Sequence, residues 1–431
     1  MTRIRIALAG FVLGLAGLWF LADTLPLASF GQRVFNGPFT QWSGVMSIGM
    51  MAFATFLSTR PKWLEPTFGG LDKMYRLHKW LAVGAFGFAL AHWALASGGG
   101  RGAAGAAASG IVAFLAPFHG PARGIAQPAL YLLIALVLVA LVKRIPYRFF
   151  SATHVLTSLV FLALAFHSIV WMKADYWSAP IGWVTAALVA LGSVSAIYSL
   201  LRHLGFRRQA TGTVVVGNYY PELRVVETEL EVDGGWRGHE AGQFAFVTTD
   251  WKEGAHPFTI ATAWDPAKRR IGFIAKELGD HTSGLRGHFA PGRRVRVEGP
   301  YGRFAFDDGK ARQIWVGAGI GITPFVAKMR ERAGRPEDTR VDLFHVTTDV
   351  SEVALAKMRA DAQAAGVRLH LSVSGQGPRF DGAGLREAAP DWKDASVWYC
   401  GPNGLAAALK RDLVGAGLHR DDFHQELFQM R

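Results

Sequence analysis

Long apolar runs in the first half of the chain limit what it can fold into. Two examples are "IRIALAGFVLGLAGLWFLA" (4–22) and "IGWVTAALVALGSVSAIYSLL" (181–201). A helix needs about twenty apolar residues to cross the roughly 30 Å hydrocarbon core of a bilayer. The sequence therefore predicts six transmembrane helices, at residues 4–22, 42–57, 77–97, 129–142, 149–171 and 181–201. The run at 129–142 is short and must extend into flanking residues.

Basic residues are divided unevenly between the two sides of these segments. The alternate connections that share a side with both termini carry Arg3, Arg5, Arg60, Lys62, Lys73, Arg76, Lys79, Lys143, Arg144, Arg148, Arg202, Arg207 and Arg208. The opposite connections carry only Arg33, Arg101, Arg123 and Lys173. This positive-inside bias predicts cytoplasmic termini, and it explains the net charge of +13 without a nucleic-acid partner. A secretory signal peptide at 4–22 is the alternative, but no convincing small-residue cleavage site follows.

Two apolar segments each carry a histidine near both ends. "RLHKWLAVGAFGFALAHW" contains His78 and His92, and "SATHVLTSLVFLALAFHS" contains His154 and His167. Fourteen helical residues advance about 21 Å and return to within roughly 40° of the same face. Histidines in a membrane segment are costly and mark functional sites.

Neutral imidazole is a common haem-iron ligand, so four histidines at two depths supply two ligand pairs. We expect His78 with His154 at an inner haem and His92 with His167 at an outer haem. The alternative for each histidine is a hydrogen bond between helices. The thirteen-residue spacing leaves His167 about 140° from His154 on an ideal helix, which requires a local kink, an overwound turn or laterally offset haems. His119 has no such partner and is expected to be a loop residue.

From about residue 210 the pattern changes to short strands, turns and charged residues. Runs such as "GTVVVGNYY" and "RRVRVEGPYG" predict a small antiparallel barrel, with "HPFTIA" and "KELGDHTSGL" inside it. The second motif offers a pyrophosphate site at a helix start, but for either motif alone a strand followed by a helix cap is the favoured explanation.

The segment "RQIWVGAGIGITPFVAKMR" (312–330) predicts a strand, a glycine-rich turn and a helix that together bind a dinucleotide. Its spacing is GxGxG rather than the common GxGxxG. Further strands predict a parallel sheet, and "YCGPNGL" places Cys400 at a strand end, where ligands bind in open α/β sheets. Inert packing is the alternative for this single cysteine, which excludes an internal disulfide framework.

We therefore predict a multidomain membrane protein. It consists of a six-helix transmembrane di-haem domain at 1–205, an antiparallel β-barrel domain at 206–308, and an α/β parallel-sheet dinucleotide-binding domain at 309–431.

The order of these motifs resembles the NADPH oxidase and ferric reductase superfamily, in particular its prokaryotic members. The resemblance rests on "LSTRPKWLEPTFGGLDKMYRLHKW", the two histidine pairs, "HPFT", "GPYG", "GAGIGITP" and "CGP", and it covers essentially the whole chain. The soluble half resembles ferredoxin-NADP reductase. The implied location is the bacterial cytoplasmic membrane, with the soluble half in the cytoplasm.

The resemblance also implies roles for residues of the soluble half. The flavin ring would be bound by His256, Pro257, Phe258 and Thr259, with Thr259 near its reactive nitrogen. The flavin pyrophosphate would be held by Lys276, Thr282 and Ser283. The nicotinamide dinucleotide would lie against Gly317, Gly319, Gly321, Thr323 and Pro324. The hydride-transfer site would be lined by Cys400, Gly401 and Pro402. Phe428 is the aromatic residue available to stack on the flavin, with Met430 in the other plausible register.

The implied activity moves electrons from NADPH through FAD and two b-type haems to an acceptor outside the cytoplasm. Oxygen, giving superoxide, is the acceptor that the resemblance favours. A ferric chelate is the alternative, since some oxidases carry a further histidine where this chain has Ala96. A third possibility is an electron-transfer subunit that feeds an extracytoplasmic protein. NADPH is only slightly preferred over NADH, through Ser374 and Arg379.

Overall fold

The computed structural model describes residues 2–23, 32–98, 110–142, 144–201, 208–250, 254–277, 284–333 and 338–426. The chain divides into two compact units, Met1–Leu204 and Gly205–Met430. The first unit is helical and the second contains two β-sheets with associated helices.

The helices of the first unit are α1 (Thr2–Ala22), α2 (Gln32–Ser58), α3 (Glu65–Phe68), α4 (Leu71–Gly98), α5 (Gly110–Leu115), α6 (His119–Leu141), α7 (Tyr147–His154), α8 (Leu156–Val170) and α9 (Pro180–Leu200). Among the described residues, five helical stretches are long and apolar enough to cross a membrane. Gly37–Ser58 and Lys62–Phe68 form a sixth only if this pair, bent by 105°, is one span. The predicted run at 129–142 is the second half of a longer apolar stretch, Gly110–Leu141.

Helices α2 and α4 pack antiparallel in a constant register. The Ser47 hydroxyl on α2 donates to the Ala85 carbonyl on α4 at 2.9 Å, near the middle of both helices. An added Cβ at Gly84, one residue earlier, would lie 2.3 Å from the Met50 methyl, so the helices approach closely here. Small residues allow such close contact between membrane helices, where apolar burial alone provides little driving force.

A buried polar cluster attaches the end of α1 to the connection between α8 and α9. The Trp19 indole donates to the Tyr176 hydroxyl at 2.7 Å, and that hydroxyl donates to Asp23 at 2.6 Å. Lys173 completes the cluster with an ion pair to Asp23 at 3.1 Å. Because a buried carboxylate is costly unless its oxygens are satisfied, this cluster fixes where α1 ends.

The first sheet of the second unit has six antiparallel strands. They are β1 (Gln209–Tyr220), β2 (Val225–Val232), β3 (Phe244–Thr248), β4 (His256–Thr259), β5 (Arg270–Lys276) and β6 (Arg294–Tyr301). The short helix α10 (Leu285–His288) lies between β5 and β6 in the chain. The strand order is β4-β3-β6-β1-β2-β5. Among the described residues, the edges of the sheet at β4 and β5 meet at one isolated bridge, between Ile260 and Phe273. The predicted antiparallel strands are present, but the sheet is open and the barrel is not closed. A four-residue strand that contains Pro257, which has no N–H to donate, cannot complete the ladder.

The second sheet is entirely parallel, as the sequence predicts. Its strands are β7 (Arg312–Ala318), β8 (Arg340–Thr347), β9 (Val367–Val373), β10 (Ser396–Cys400) and β11 (Phe423–Gln425), in the order β11-β10-β7-β8-β9. The helices are α11 (Thr323–Ala333), α12 (Glu352–Ala364), α13 (Gly382–Ala388) and α14 (Asn403–Gly415). The chain leaves β7 toward β8 and later returns on its other side as β10. This reversal produces a switch point between β7 and β10, where ligands bind in such sheets.

His239 is buried beneath the first sheet with both ring nitrogens engaged. Its Nε2 donates to the Thr262 carbonyl at 2.9 Å, and its Nδ1 accepts from the Trp236 indole at 3.4 Å. Burial lowers the pKa of His239 to about 4, although the bond to Thr262 acts in the opposite direction. A proton on Nδ1 would face the Trp236 N–H, so protonation breaks this arrangement.

We predict that the second unit loses stability as the pH falls from 7.5 to 5. The pKa of His239 is 6.5 in the unfolded chain and about 4 in the folded protein, so at pH 5 the unfolded chain binds a proton that the folded protein does not. This difference is worth about 2 kcal/mol at pH 5. His239→Gln keeps a donor for Thr262 but cannot be protonated, so it should flatten this part of the profile. Thermal unfolding of the full chain in detergent, followed at several pH values, tests this. An equal slope in both proteins would contradict the role of His239.

Candidate functional site

The structure brings the four predicted ligand histidines together as two pairs. The ring centres of His78 and His154 are 6.2 Å apart with an angle of 76° between the ring planes. The pair His92 and His167 has the same separation and the same angle. With a metal–imidazole bond of about 2.0 Å on each side and roughly 1 Å from nitrogen to ring centre, one metal ion between two rings would separate the centres by about 6 Å. Both pairs therefore have the spacing that would hold one metal ion between two histidines.

Hydrogen bonds to backbone carbonyls orient three of these rings. His78 Nδ1 lies 2.8 Å from the Ala54 carbonyl, and His92 Nδ1 lies 2.8 Å from that of Thr40. His167 Nδ1 lies 3.0 Å from the Ala122 carbonyl on α6. A carbonyl can only accept, so each Nδ1 carries the proton. The lone pair is then on Nε2, which is the nitrogen left to bind a metal.

A break in the helix resolves the unfavourable thirteen-residue spacing. His154 is the last residue of α7, and α8 begins at Leu156. The intervening Val155 carbonyl accepts from the Ser158 N–H at 3.1 Å, a bond three residues apart instead of four. The backbone therefore tightens at Val155, and the rings of His154 and His167 both meet histidines on α4 although an ideal helix would separate them.

Gly44 provides the space for the His92 ring. It lies on α2, one helical turn after Thr40, whose carbonyl is bonded to this ring. A Cβ at Gly44 would lie 3.1 Å from His92 Nδ1 and 3.2 Å from Cε1. The ring would have to move by a few tenths of an ångström, away from the position in which Nδ1 reaches its carbonyl. The sequence alone gave no reason to single out this glycine.

The predicted flavin-binding residues of the HPFT motif form strand β4. Pro257 is exposed, whereas Phe258 and Thr259 are buried. The Phe258 ring packs in the sheet core against Phe273 and Phe289, at centroid distances of 6.2 and 5.9 Å. Side chains alternate along a strand, so any contact of Phe258 with a flavin on the opposite face comes from its backbone.

Lys276, predicted to bind the flavin pyrophosphate, lies in a cleft between the two lobes of the second unit. The cleft has a volume of about 870 Å³ including its solvent-open part. Lys276 ends β5, and its ammonium forms an ion pair with Asp349 at 3.1 Å across the cleft. This contact lowers the pKa of Asp349. The other two predicted pyrophosphate ligands, Thr282 and Ser283, lie outside the described residues.

The predicted dinucleotide turn connects β7 to α11. Residues Gly319–Ile322 form a 3₁₀ turn, and α11 begins at Thr323, followed by Pro324. Gly319 has φ +57°, a conformation that favours glycine. A Cβ on Gly321 would lie 2.3 Å from the Cys400 carbonyl oxygen, so only glycine fits there. Within this turn the Thr323 N–H donates to the Ile320 carbonyl.

Cys400, Gly401 and Pro402 lie at the carboxyl end of β10, beside this turn. Cys400 pairs with Gly317 across the two strands, at the switch point of the sheet. Its side chain is fully buried, and burial raises the pKa of the thiol well above its ordinary value. Cys400 is therefore a neutral thiol at physiological pH. The predicted stacking residue Phe428, and Met430 in the other register, lie outside the described residues.

His345 is a further residue of this site that the sequence did not indicate. It lies on β8, lines the cleft, and its Nδ1 donates to the Gly317 carbonyl at 3.2 Å. Burial lowers its pKa and keeps the ring neutral, although the bond to Gly317 acts in the opposite direction. The ring therefore supports the last residues of β7 before the glycine turn.

Comparison with known proteins relates both halves of the chain to redox proteins. Residues 43–165 match the family described as ferric reductase like transmembrane component. This range contains His78, His92 and His154 and ends two residues before His167. The chain is 27% identical over 213 residues to an NADPH oxidoreductase of Mycobacterium tuberculosis, covering 46% of this chain and 55% of that protein. It is 30% identical over 146 residues to NADPH oxidase 1 of Rattus norvegicus, covering 31% and 24%.

The chain spans about half the length of the curated relatives that it matches first. Among solved structures, flavohemoglobin from Malassezia yamatoensis aligns with a TM-score of 0.50 at 17% identity. The alignment covers 89% of this chain and 94% of that one, and at this identity it bears on the fold alone. With the family match and the apolar helices, these findings identify a multi-pass membrane protein that carries a flavin- and nicotinamide-binding half.

We predict that Gly44→Ala weakens metal or haem binding at the His92–His167 pair by about tenfold or more, because it disturbs the bond that orients His92. The His78–His154 pair should be unaffected. Gly87→Ala is the matched control, since an added Cβ there meets nothing within 4 Å. Haem per protein, measured on both purified variants, tests this. Equal haem content would contradict the role of Gly44.

Proposed function

Because the chain joins a ferric reductase-like transmembrane domain to a flavin and nicotinamide domain of the ferredoxin reductase type, we propose that it is a transmembrane NAD(P)H oxidoreductase. It would take electrons from cytosolic NADPH or NADH and deliver them, with FAD and two b-type haems as cofactors, to an acceptor outside the cytoplasm. The positive-inside bias supports a bacterial inner membrane location with the soluble half in the cytoplasm.

The duplicated histidine geometry is the observation that carries this proposal. Two histidine pairs have the same 6.2 Å separation and 76° ring angle, and they lie at opposite ends of α4, fourteen residues apart. A single pair would be explained by packing between helices. Two equivalent pairs at different depths are what a path for electrons through the bilayer requires.

Bound FAD would supply the conversion of a two-electron hydride donor into single electrons, and the two haems would carry those electrons across the lipid. The start of α11 would hold the dinucleotide pyrophosphate through backbone N–H groups. The buried thiol of Cys400 and the glycine turn would exclude water from the space beside the dinucleotide. Thr259 on β4 would present its hydroxyl to the flavin.

Each histidine pair would hold one haem through its Nε2 atoms. At His78, His92 and His167 the Nδ1–H donates to a carbonyl, which leaves Nε2 for the metal and would strengthen it as a ligand. Haems held by two histidines each would supply electron transfer rather than a site for binding the acceptor.

Oxygen, giving superoxide, is the first acceptor that we propose, and the similarity to NADPH oxidase 1 supports it. A ferric chelate is the second, supported by the ferric reductase-like match and by Ala96 at the position where a further histidine would stand. A subunit that feeds an extracytoplasmic protein is a third possibility. Superoxide-dismutase-sensitive dye reduction by the purified chain would identify oxygen, and activity only with ferric chelates would identify the metal reductase.

We predict that His92→Ala or His167→Ala removes one of two haems and abolishes reduction of the outer acceptor. Reduction of flavin by NAD(P)H should remain within about twofold of wild type, because the changes lie in the other unit. The measurements are the reduced-haem spectrum and stopped-flow flavin absorbance, with and without oxygen.

His119→Ala is the control for these variants. The expectation of a loop residue is wrong, since His119 is the first residue of α6. Its ring packs on Trp171, at a centroid distance of 4.9 Å. It should retain both haems. Loss of flavin reduction in the His92 or His167 variants, or a wild-type protein without Soret absorbance after adequate haem supply, would refute the proposal.

A further inference from the structure

Arg330 on α11 connects three parts of the second unit with all three nitrogens of its side chain. Nη1 donates to the Ala261 carbonyl at 3.1 Å, just beyond β4. Nη2 donates to Glu227 on β2 at 3.2 Å, and Nε donates to Asp361 on α12 at 3.1 Å. Two of these contacts reach the first sheet, and the third stays among the helices of the second sheet.

Glu227 extends this network across the cleft. Its carboxylate accepts from Tyr220 on β1 at 2.8 Å and from Lys357 on α12 at 2.9 Å, in addition to Arg330. Lys357 also donates to the Tyr220 hydroxyl at 2.7 Å. These cations hold the pKa of Glu227 below its usual range, although burial acts in the opposite direction. Arg330 is three-quarters buried and Glu227 more so, hence their attraction is screened less than that of a surface pair.

The elements joined by Arg330 are those that carry the two candidate cofactor sites. Helix α11 starts at the glycine turn that would bind the nicotinamide dinucleotide. Ala261 lies two residues after β4, the HPFT strand, and this strand would bind the flavin. A shift of α11 relative to β4 therefore changes the distance between the two sites. Misplacement of reacting groups by about 1 Å can cost 10²-fold in rate.

We propose that Arg330, through Glu227 and the Ala261 carbonyl, is a positioning residue that sets the spacing between nicotinamide and flavin. This inference rests on the proposed function for its consequence in catalysis. The coupling of the two lobes does not depend on either cofactor. Arg330 touches neither reacting group and acts through the elements that it joins.

Arg332 is a matched control on the same helix. It is buried as well, and its guanidinium donates to the Ala365 and Thr339 carbonyls at 3.3 and 2.9 Å. These two carbonyls belong to the second-sheet lobe. Arg332→Met therefore removes a buried arginine whose bonds to these carbonyls lie within one lobe, whereas Arg330→Met removes contacts that join the two lobes. Glu227→Gln keeps the side-chain shape and removes the charge, which provides a milder variant should Arg330→Met fail to fold.

The experiment measures the spacing of the lobes directly in the full chain in detergent. Spin labels are attached to cysteines introduced at the exposed Lys268 and Glu387, one on each lobe. The only native cysteine, Cys400, is buried and protected from the label. Electron–electron double resonance then gives the distance distribution without cofactors. Hydride transfer, the long-wavelength nicotinamide–flavin absorbance and the Kd of ADP-ribose are measured on the same variants loaded with FAD.

Arg330→Met and Glu227→Gln should broaden the distance distribution, and Arg332→Met should not. Hydride transfer should fall by about 10- to 10²-fold in Arg330→Met, with weaker nicotinamide–flavin absorbance. The Kd of ADP-ribose should change less than twofold, because the glycine turn is intact.

Equal distributions and equal hydride-transfer rates in the Arg330 and Arg332 variants would overturn the proposal. A tenfold weaker affinity for ADP-ribose with an unchanged distribution would also overturn it, since Arg330 would then be a nucleotide contact. A wild-type protein that binds no flavin would contradict the proposed function, whereas the label distances decide the coupling of the lobes independently.

Discussion

The hydrogen bonds from the α4 histidines to α2 carbonyls are the interaction on which the helical unit depends. An imidazole in hydrocarbon needs a partner for its N–H, and a backbone carbonyl that is already part of a helix can accept a second bond. His78 and His92 are fourteen residues apart, and so are their acceptors, Ala54 and Thr40. Antiparallel helices in one register match these two spacings, with the Ser47 bond midway between them. The same contacts that hold the helices together thus fix which nitrogen of each ring is available.

The partner histidines on α7 and α8 are held in a different way. His167 uses the Ala122 carbonyl of α6, so its orientation depends on a third helix. His154 reaches its position because the helix breaks immediately after it. His78 and His92 are therefore two heptads apart on a single helix, α4, whereas His154 and His167 lie on either side of the break between α7 and α8. The two pairs have equal ring geometry despite the one-residue difference in spacing.

Much of this organisation could be predicted from the sequence because it depends on local patterns. Apolar length predicts the spans, and equal depth on two segments predicts the histidine pairs. Strand, glycine turn and helix follow from "GAGIGITP". The features that the sequence missed depend on contacts between distant residues. Neither the role of Gly44 beside His92 nor the bonds from Arg330 to Ala261 and Glu227 have a local signature. The open first sheet was missed because the strand pattern does not reveal where β4 stops pairing.

The burial of the only cysteine has a consequence for how long such a protein stays active. Reactive oxygen species attack the thiolate far more readily than the thiol, and they need access to the sulfur. Cys400 offers neither, since its side chain is fully enclosed and its pKa is raised. A chain that released superoxide would have no exposed sulfhydryl of its own to inactivate, and no second one with which to form a crosslink. The enclosed sulfur at the switch point of the sheet thus confers chemical durability on the second unit.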